Sequence, residues 1–563
     1  MTADGMLAAL GDARTQFSAA ARSRKAALIS AARDVACRDP RRLREYHDAL
    51  LFVSAYPDSA TIHRLARGEL SRMASVVQRR YRSSPAAAAR RFDNSGIAHA
   101  RLRYGFTIDM ARWLADAFGE DVDIAWDQES AGEAFDEFLP LLVPAAERDG
   151  LLTNRISTLE WIRLAIGRRR MTTLQWVLER FSRLRGQGEL IERSFDSLDL
   201  ELCWRLRRPR ASRTLNRFPP RPIFFQRGDL QKRISLDAIL KEPLAIPPPL
   251  SRAKAGAVLD ACRAALCVRR REIDTLTYVN EREVYLFRLD RGIDVAVLGM
   301  RPDRRLAVES YFGFVAARNR VPVGYGGGWV FFDRCEIGVN VFDEFRGGES
   351  ARIFASVMHV YRRLFRVHRF QVDPYQFGAD NPEAIRSGAF WFYYRLGYRP
   401  SDAASASLAA EEYQALRRER GRRSPARLLR RLARSDLAYD VPGGRGGRSP
   451  RPDLTAIGLA VTRWIARRFG GDRDAALRWA ARRAGRELGA GADRRWPPLE
   501  REAFDRLSVL LGPLQGIARW PRDEKRRVAR ALRSKAGVRE RQYALALQRC
   551  TLLRAALAEL PAG

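Results

Sequence analysis

The sequence predicts an α+β protein, a mixed sheet with flanking helices set between N-terminal and C-terminal all-helical regions. Three observations carry that expectation. Residues 283–342 hold the strand-dense part of the chain, a series of β-branched and aromatic runs separated by turns. On either side, apolar residues recur at helical spacing, as Leu174, Val177, Leu178, Phe181 and Leu184 do. Two proline-rich stretches, 218–222 and 246–250, break the chain between these patterns. They suggest a helical domain at 1–200, a Pro-rich and partly β connector at 201–250, a sheet domain at 251–402, a basic linker and helix at 403–450, and a basic helical domain at 451–563.

The elements follow in order. Residues 7–34 are rich in Ala and Arg and read as an amphipathic helix, without the apolar core of a secretion signal. An acidic stretch follows, with Asp121, Asp123, Asp127, Glu129, Glu133, Asp136 and Glu137. Its Asp121-Val-Asp123 pair has the form of a divalent-metal site, but a solvated face or a dock for basic segments of the same chain is the favoured reading. Ser157 and Glu160 form a capping-box pattern ahead of an apolar run. Beyond the connector a helix is expected at 252–267, then strands at 283–289, 293–298, 310–316, 329–332 and 336–342. Next come a helix at 350–365, a strand at 369–375 and a helix at 382–396. Ser424-Pro425 starts a further helix, on which Arg427, Arg430, Arg431 and Arg434 share one face. The linker 442–450 is glycine-rich, and helix resumes over 453–560.

The chain has 563 residues, 46% hydrophobic and 30% charged, which is a composition able to bury a core. It lacks an apolar run of about 18 residues, so it is read as cytoplasmic and without a membrane span. The formal net charge is +35, with only six lysines among 101 basic residues. Residues 403–563 hold 36 Lys+Arg against 17 Asp+Glu, a net +19. General arginine enrichment does not concentrate charge in this way, so nucleic acid is kept as a possible partner of the C-terminal region. Cys262 and Cys267 lie in a helical run and read as buried apolar side chains; no metal is expected.

Chemistry is concentrated between Glu336 and Tyr398, in the order strand, glycine turn, helix, strand, helix. Val341 to Ala351 bring a strand end, Gly347-Gly348 and a helix start together beside Arg346. Free amides and a helix N-terminus at one point suit an anion, and glycine permits close approach.

This segment resembles the GNAT acetyltransferase superfamily. The family's Arg/Gln-x-x-Gly-x-Gly/Ala loop is matched at its outer positions by Arg346 and Ala351. Asn381 and Ala384 resemble its Asn-x-x-Ala, and Tyr393 with Gly397-Tyr398 resembles its Tyr-x-x-x-Gly-Phe. The stretch from Phe312 to Tyr325 resembles its strand pair around a polar turn. The likeness covers about a quarter of the chain, residues 270–400. It implies acetyl-CoA or another acyl-CoA as co-substrate, bound by Arg346, Gly347, Gly348, Ser350, Ala351 and Asn381. It implies Tyr393 as the acid that protonates the departing thiolate, and Glu336 as a general base acting through water. The acceptor would be a small-molecule or protein amine. Glu349 replaces the central glycine, and a carboxylate near two phosphates costs on the order of 1 kcal/mol even in water unless it turns away. Asn381 also lies 12 residues before Tyr393, with 386–389 as an apparent insertion.

Each residue has a plainer reading beside this one. Gly347-Gly348 suits a tight turn, Asn381-Pro382 an N-cap and first helical residue, Tyr393 an aromatic core, and Glu336 a solvent-facing strand start. Two other functions remain open. One is a GNAT-fold transferase using aminoacyl-tRNA. The other is a non-catalytic nucleic-acid-binding protein acting through its basic C-terminal region.

Overall fold

The computed structural model describes every residue except 1, 37–38, 128–132, 134, 153–155, 420, 444–449, 491–495 and 562–563. Most of the glycine-rich linker, Glu129 of the acidic stretch and Cys37 therefore lie outside the described residues. The chain starts with five helices: α1 (Ala3–Ala13), α2 (Ala19–Ala36), α3 (Pro40–Ala55), α4 (Ala60–Ser83) and α5 (Pro85–Phe92). Side-chain caps start α3 and α4: Asp39 accepts the Arg42 amide at 3.0 Å and Ser59 accepts the Ile62 amide at 3.2 Å.

The expected all-helical N-terminal region is corrected by a small sheet of β1 (Arg101–Gly105), β2 (Val122–Ile124) and β3 (Glu201–Arg205), in the order β1-β3-β2. These strands are three to five residues long and nearly 80 residues separate β2 from β3, so no local alternation announces them. Asp123 shows how the acidic stretch is used. It accepts the hydroxyl of Thr173 at 2.5 Å and the amide of Leu174 at 2.9 Å, at the start of the helix Thr173–Ser182. Asp121 pairs with Arg207 at 3.2 Å and Asp127 pairs with Arg103.

The large sheet has β4 (Val279–Arg288), β5 (Ile293–Met300), β6 (Ser310–Arg318), β7 (Val321–Phe331) and β8 (Arg334–Val341) as an antiparallel meander. β9 (Arg369–Val372) lies parallel to β8, and β11 (Leu437–Asp440) then β10 (Arg399–Pro400) complete that edge. β5 and β6 are buried along their full lengths, which is why they read as continuous apolar runs rather than alternating ones. Gly324 to Gly328, expected between strands, lie inside β7. Aromatic rings cross the strand there: a Cβ at Gly327 would sit 2.4 Å from the Tyr311 ring and one at Gly328 would sit 2.4 Å from Tyr361. β11 falls in the segment expected to be linker and helix, so the sheet draws on residues beyond 402.

Three apolar cores result. The first joins α1–α5 to the large sheet and to the helix Ser350–Phe365. The second fills the lobe around the small sheet, and the third lies among the C-terminal helices and takes in Phe331 and Phe332. Buried polar bonds tie the C-terminal helices to the sheet. Glu283 accepts the amides of Glu540 and Arg541, each at 2.8 Å, and Arg305 donates to the carbonyls of Lys535 at 2.7 Å and Gly537 at 2.6 Å. Among the described residues, no helix is long and apolar enough to cross a membrane.

Candidate functional site

β8 and β9 pair only from Arg334 with Arg369 to Glu336 with Gln371. β8 then continues to Val341 paired with β7 only, while β9 stops at Val372 and the chain turns away through the 3-10 helix Pro374–Phe377. The strands part, and a cleft of about 1120 Å³ opens at the gap. It is lined by Val339, Asn340 and Val341 of β8, by Arg346, Ser350 and Ala351 at the following helix start, and by Asn381, Glu383 and Tyr393 on the far wall. Five sequence-predicted residues thus meet at one cavity: Arg346, Ser350, Ala351, Asn381 and Tyr393.

The helix Ser350–Phe365 presents its N-terminus to this cleft. Its first bonded amide is that of Ile353, which donates to the Glu349 carbonyl at 3.0 Å. The amides of Ser350, Ala351 and Arg352 make no backbone hydrogen bond among the described residues. Ser350 and Ala351 line the cleft, so two of these unpaired donors and the positive helix end lie where an anion would sit. Behind them, Ile353, Val357, Val360, Tyr361 and Leu364 are buried against the sheet and hold the helix in place.

Glu349 does not enter the cleft. Its side chain is 0% exposed and points inward, where Arg291 donates to Oε1 at 2.5 Å and the Gln231 amide donates to the same oxygen at 2.9 Å. Arg318, also 0% exposed, lies 3.2 Å from Oε2. Burial lowers the Arg318 guanidinium to about 10 although the Glu349 charge supports it. The repulsion expected between this carboxylate and bound phosphates is removed by that inward turn. Its cause lies far away in sequence, in the β6 end, the loop after β4 and the connector.

Gly348 is corrected as a ligand contact. A Cβ there would lie 2.8 Å from the Tyr56 hydroxyl and 3.1 Å from the Phe345 carbonyl, so it is the α3 end that requires glycine. The same hydroxyl accepts the Glu349 amide at 3.2 Å. Gly347 has φ +86°, with open space around its Cα, and serves the turn. Neither glycine lines the cleft.

Arg346 is largely exposed and bridges Asp343 at 2.9 Å and Glu383 at 2.8 Å, so an anion in the cleft would compete with Glu383 for it. Asn381 caps the helix Pro382–Ser387, accepting the Ala384 amide at 3.1 Å and donating to the Tyr375 carbonyl at 3.0 Å. Its carboxamide is committed to the backbone while still lining the cleft. The helix expected at 382–396 is two helices, because Gly388 adopts φ +65° between Pro382–Ser387 and Ala389–Arg395. The apparent insertion at 386–389 spans that break.

Tyr393 is buried among Phe354, Phe377, Phe392 and Tyr398, with ring centroids 5.2–6.3 Å away. Burial pushes its phenol well up, and no described residue bonds its hydroxyl. It therefore holds its proton at neutral pH. Glu336 is not part of the cleft lining; it is exposed on β8, between buried Cys335 and Ile337. Crowding by the surrounding chain, then the charges of Asp373, Glu309 and Asp436, push its carboxyl up to about 7.

Sequence reasoning missed part of the wall. Lys232 and Arg233 reach the cleft from the connector, and Tyr413, Leu416 and Arg417 reach it from the helix Ala403–Arg418. Nothing in the local pattern marks them, because both segments lie outside the strand-and-loop motif. With Arg346 and Arg395 they give five cationic side chains, against the carboxylate of Glu383 as the only acid among the described residues lining the cleft.

Among the described residues no group of three His, Cys, Asp or Glu is placed to hold a metal ion. Comparison with family models, with curated proteins and with solved structures finds no match to this chain.

Proposed function

We propose that the chain is a GNAT-type acyltransferase that moves an acetyl or other acyl group from coenzyme A to an amine. The observation that carries the reading is the parting of β8 from β9 beside a helix start whose first amides are unpaired, with Glu349 turned away from it. The donor's pyrophosphate would lie at Ser350 and Ala351, with Arg346 released from Glu383. The amine nitrogen attacks the thioester carbonyl, the C–S bond breaks, and no covalent enzyme intermediate is needed. Tyr393 gives its proton to the departing thiolate, and Glu336 takes the amine proton through water.

A second reading is supported by the cations that come from outside the motif. Lys232, Arg233 and Arg417 suit a larger polyanionic donor such as an aminoacyl-tRNA. A third, non-catalytic binding of nucleic acid, rests on Arg427, Arg430, Arg431 and Arg434, all of them exposed. Calorimetric titration with acetyl-CoA separates the first reading from the other two. Micromolar binding that is lost in Arg346→Glu supports the acyl-CoA reading. Absence of binding at millimolar coenzyme, with salt-sensitive retention of tRNA or DNA, rejects it.

A further inference from the structure

The connector that sends Lys232 and Arg233 to the cleft goes on to wall a second cavity of about 490 Å³, and the two cavities share no lining residue. The other walls are the end of β4 and one face of the helix Ser350–Phe365. β4 is the last strand of the large sheet, so its outer edge is free to meet another segment. Proline keeps the connector from closing on that edge as a strand, because Pro243 and Pro247, Pro248 and Pro249 have no N–H to donate. The connector is anchored at separate points instead. Arg362 Nη1 donates to the Leu240 carbonyl at 2.7 Å and Arg363 Nε to the Leu244 carbonyl at 3.1 Å, while the Leu250 amide donates to the Val284 carbonyl at 2.8 Å. The volume that remains falls in the range of small-molecule pockets, roughly 300–1,000 Å³.

Two buried polar side chains line this cavity without partners. Ser356 and His359 lie one turn apart on the helix, and each is 4% exposed. His359 Nε2 is buried with no hydrogen-bond partner, and no described residue bonds the Ser356 hydroxyl. Burial, against the pull of the Glu242 carbonyl, lowers the His359 ring to about 4, so the ring is neutral near pH 7. With the ring proton directed to that carbonyl, Nε2 presents a lone pair. A buried polar group left unbonded costs about 1–3 kcal/mol, which a ligand that bonds it recovers. Two acids and two bases also line the cavity: Glu242, Asp290, Arg288 and Arg352. Arg352 and Glu242 approach only to 3.9 Å, and Arg288 and Asp290 form no ion pair among the described residues. The remaining wall is mainly apolar, with Leu244, Pro247, Leu286 and Leu289 half-buried.

We propose that this cavity binds a zwitterionic α-amino acid with an apolar side chain. Arg352 and the Ser356 hydroxyl donate to its carboxylate. His359 Nε2 and Glu242 accept from its ammonium group, and Leu244, Leu286 and Leu289 take its side chain. A lone anion would meet the carboxylates of Glu242 and Asp290, and a lone cation would meet Arg288 and Arg352. A zwitterion pairs both signs and leaves no charge in the wall uncompensated.

The test is calorimetric titration of the full-length chain with L-leucine and, separately, L-phenylalanine. Isopentylamine and isocaproate, which each keep one of the two charges of leucine, serve as the comparison. Saturable binding of at least one amino acid is expected, about tenfold or more tighter than either single-charge analogue and weakened about tenfold or more by Arg352→Gln. Leu289→Trp, which fills the apolar wall without removing a charge, should weaken binding at least as much. Leu289 is half-buried at the end of β4, so its variant keeps the test sound if Arg352→Gln does not fold. Absence of saturable binding of both amino acids below about 10 mM, equal binding of the amine or the acid alone, or an affinity unchanged in Leu289→Trp overturns the inference.

Discussion

Replacing Glu349 by glycine restores the residue that the GNAT loop pattern carries, and the structure predicts that it harms the protein. The carboxylate is fully buried between Arg318 and Arg291 and also accepts the Gln231 amide. Removing one partner of a buried pair costs about 3–5 kcal/mol, because the remaining charge is left without compensation. The stranded amide adds about 1–3 kcal/mol. Against a total stability of roughly 5–15 kcal/mol, that is a large fraction. Urea denaturation followed by far-UV circular dichroism should show a much lower midpoint for Glu349→Gly, and acetyl-CoA titration should show no gain in affinity. If the midpoint is unchanged and binding tightens, Glu349 faces the phosphates after all and the inward network is wrong.

Three further outcomes follow from the geometry. Gly348→Ala should lose about 1–3 kcal/mol by overpacking against the Tyr56 hydroxyl, and Tyr56→Phe in the same chain should recover part of it; denaturation midpoints decide. Tyr393→Phe should leave stability within about 0.5 kcal/mol, since no described residue bonds that hydroxyl. Its acyl turnover should fall by about 10²–10⁴-fold, whereas an unchanged rate would mean another group protonates the thiolate. Because the Glu336 carboxyl is raised to about 7, its basic form is populated only above that pH, so transfer should rise as pH increases through about 7. That rise should vanish in Glu336→Gln; a profile shared by both proteins removes Glu336 from the reaction.

Much of the central architecture is legible in the residues themselves. The β-branched runs that become β5, β6 and β8 and the apolar stripe of the helix Ser350–Phe365 depend on local periodicity, which the sequence displays directly. The loop at Arg346, the helix start at Ser350 and the aromatic cluster at Tyr393 are equally local. β7 was only partly readable. Its glycines look like a turn until the rings of Tyr311, Phe314 and Tyr361 are laid across them.

The sequence by itself determined that a sheet with a strand–turn–helix loop is flanked by mainly helical regions, and it named five residues that line the cleft. The tertiary structure alone decided which way Glu349 points, that Gly348 answers to Tyr56, that β11 joins the sheet and that Lys232, Arg233 and Arg417 close the wall. The physical reason is range. Periodicity and turn chemistry act over a few residues, whereas a buried charge is oriented by partners dozens to hundreds of positions away. Arg318 and Arg291 reach Glu349 from 31 and 58 residues upstream, and Tyr56 reaches its amide from 293.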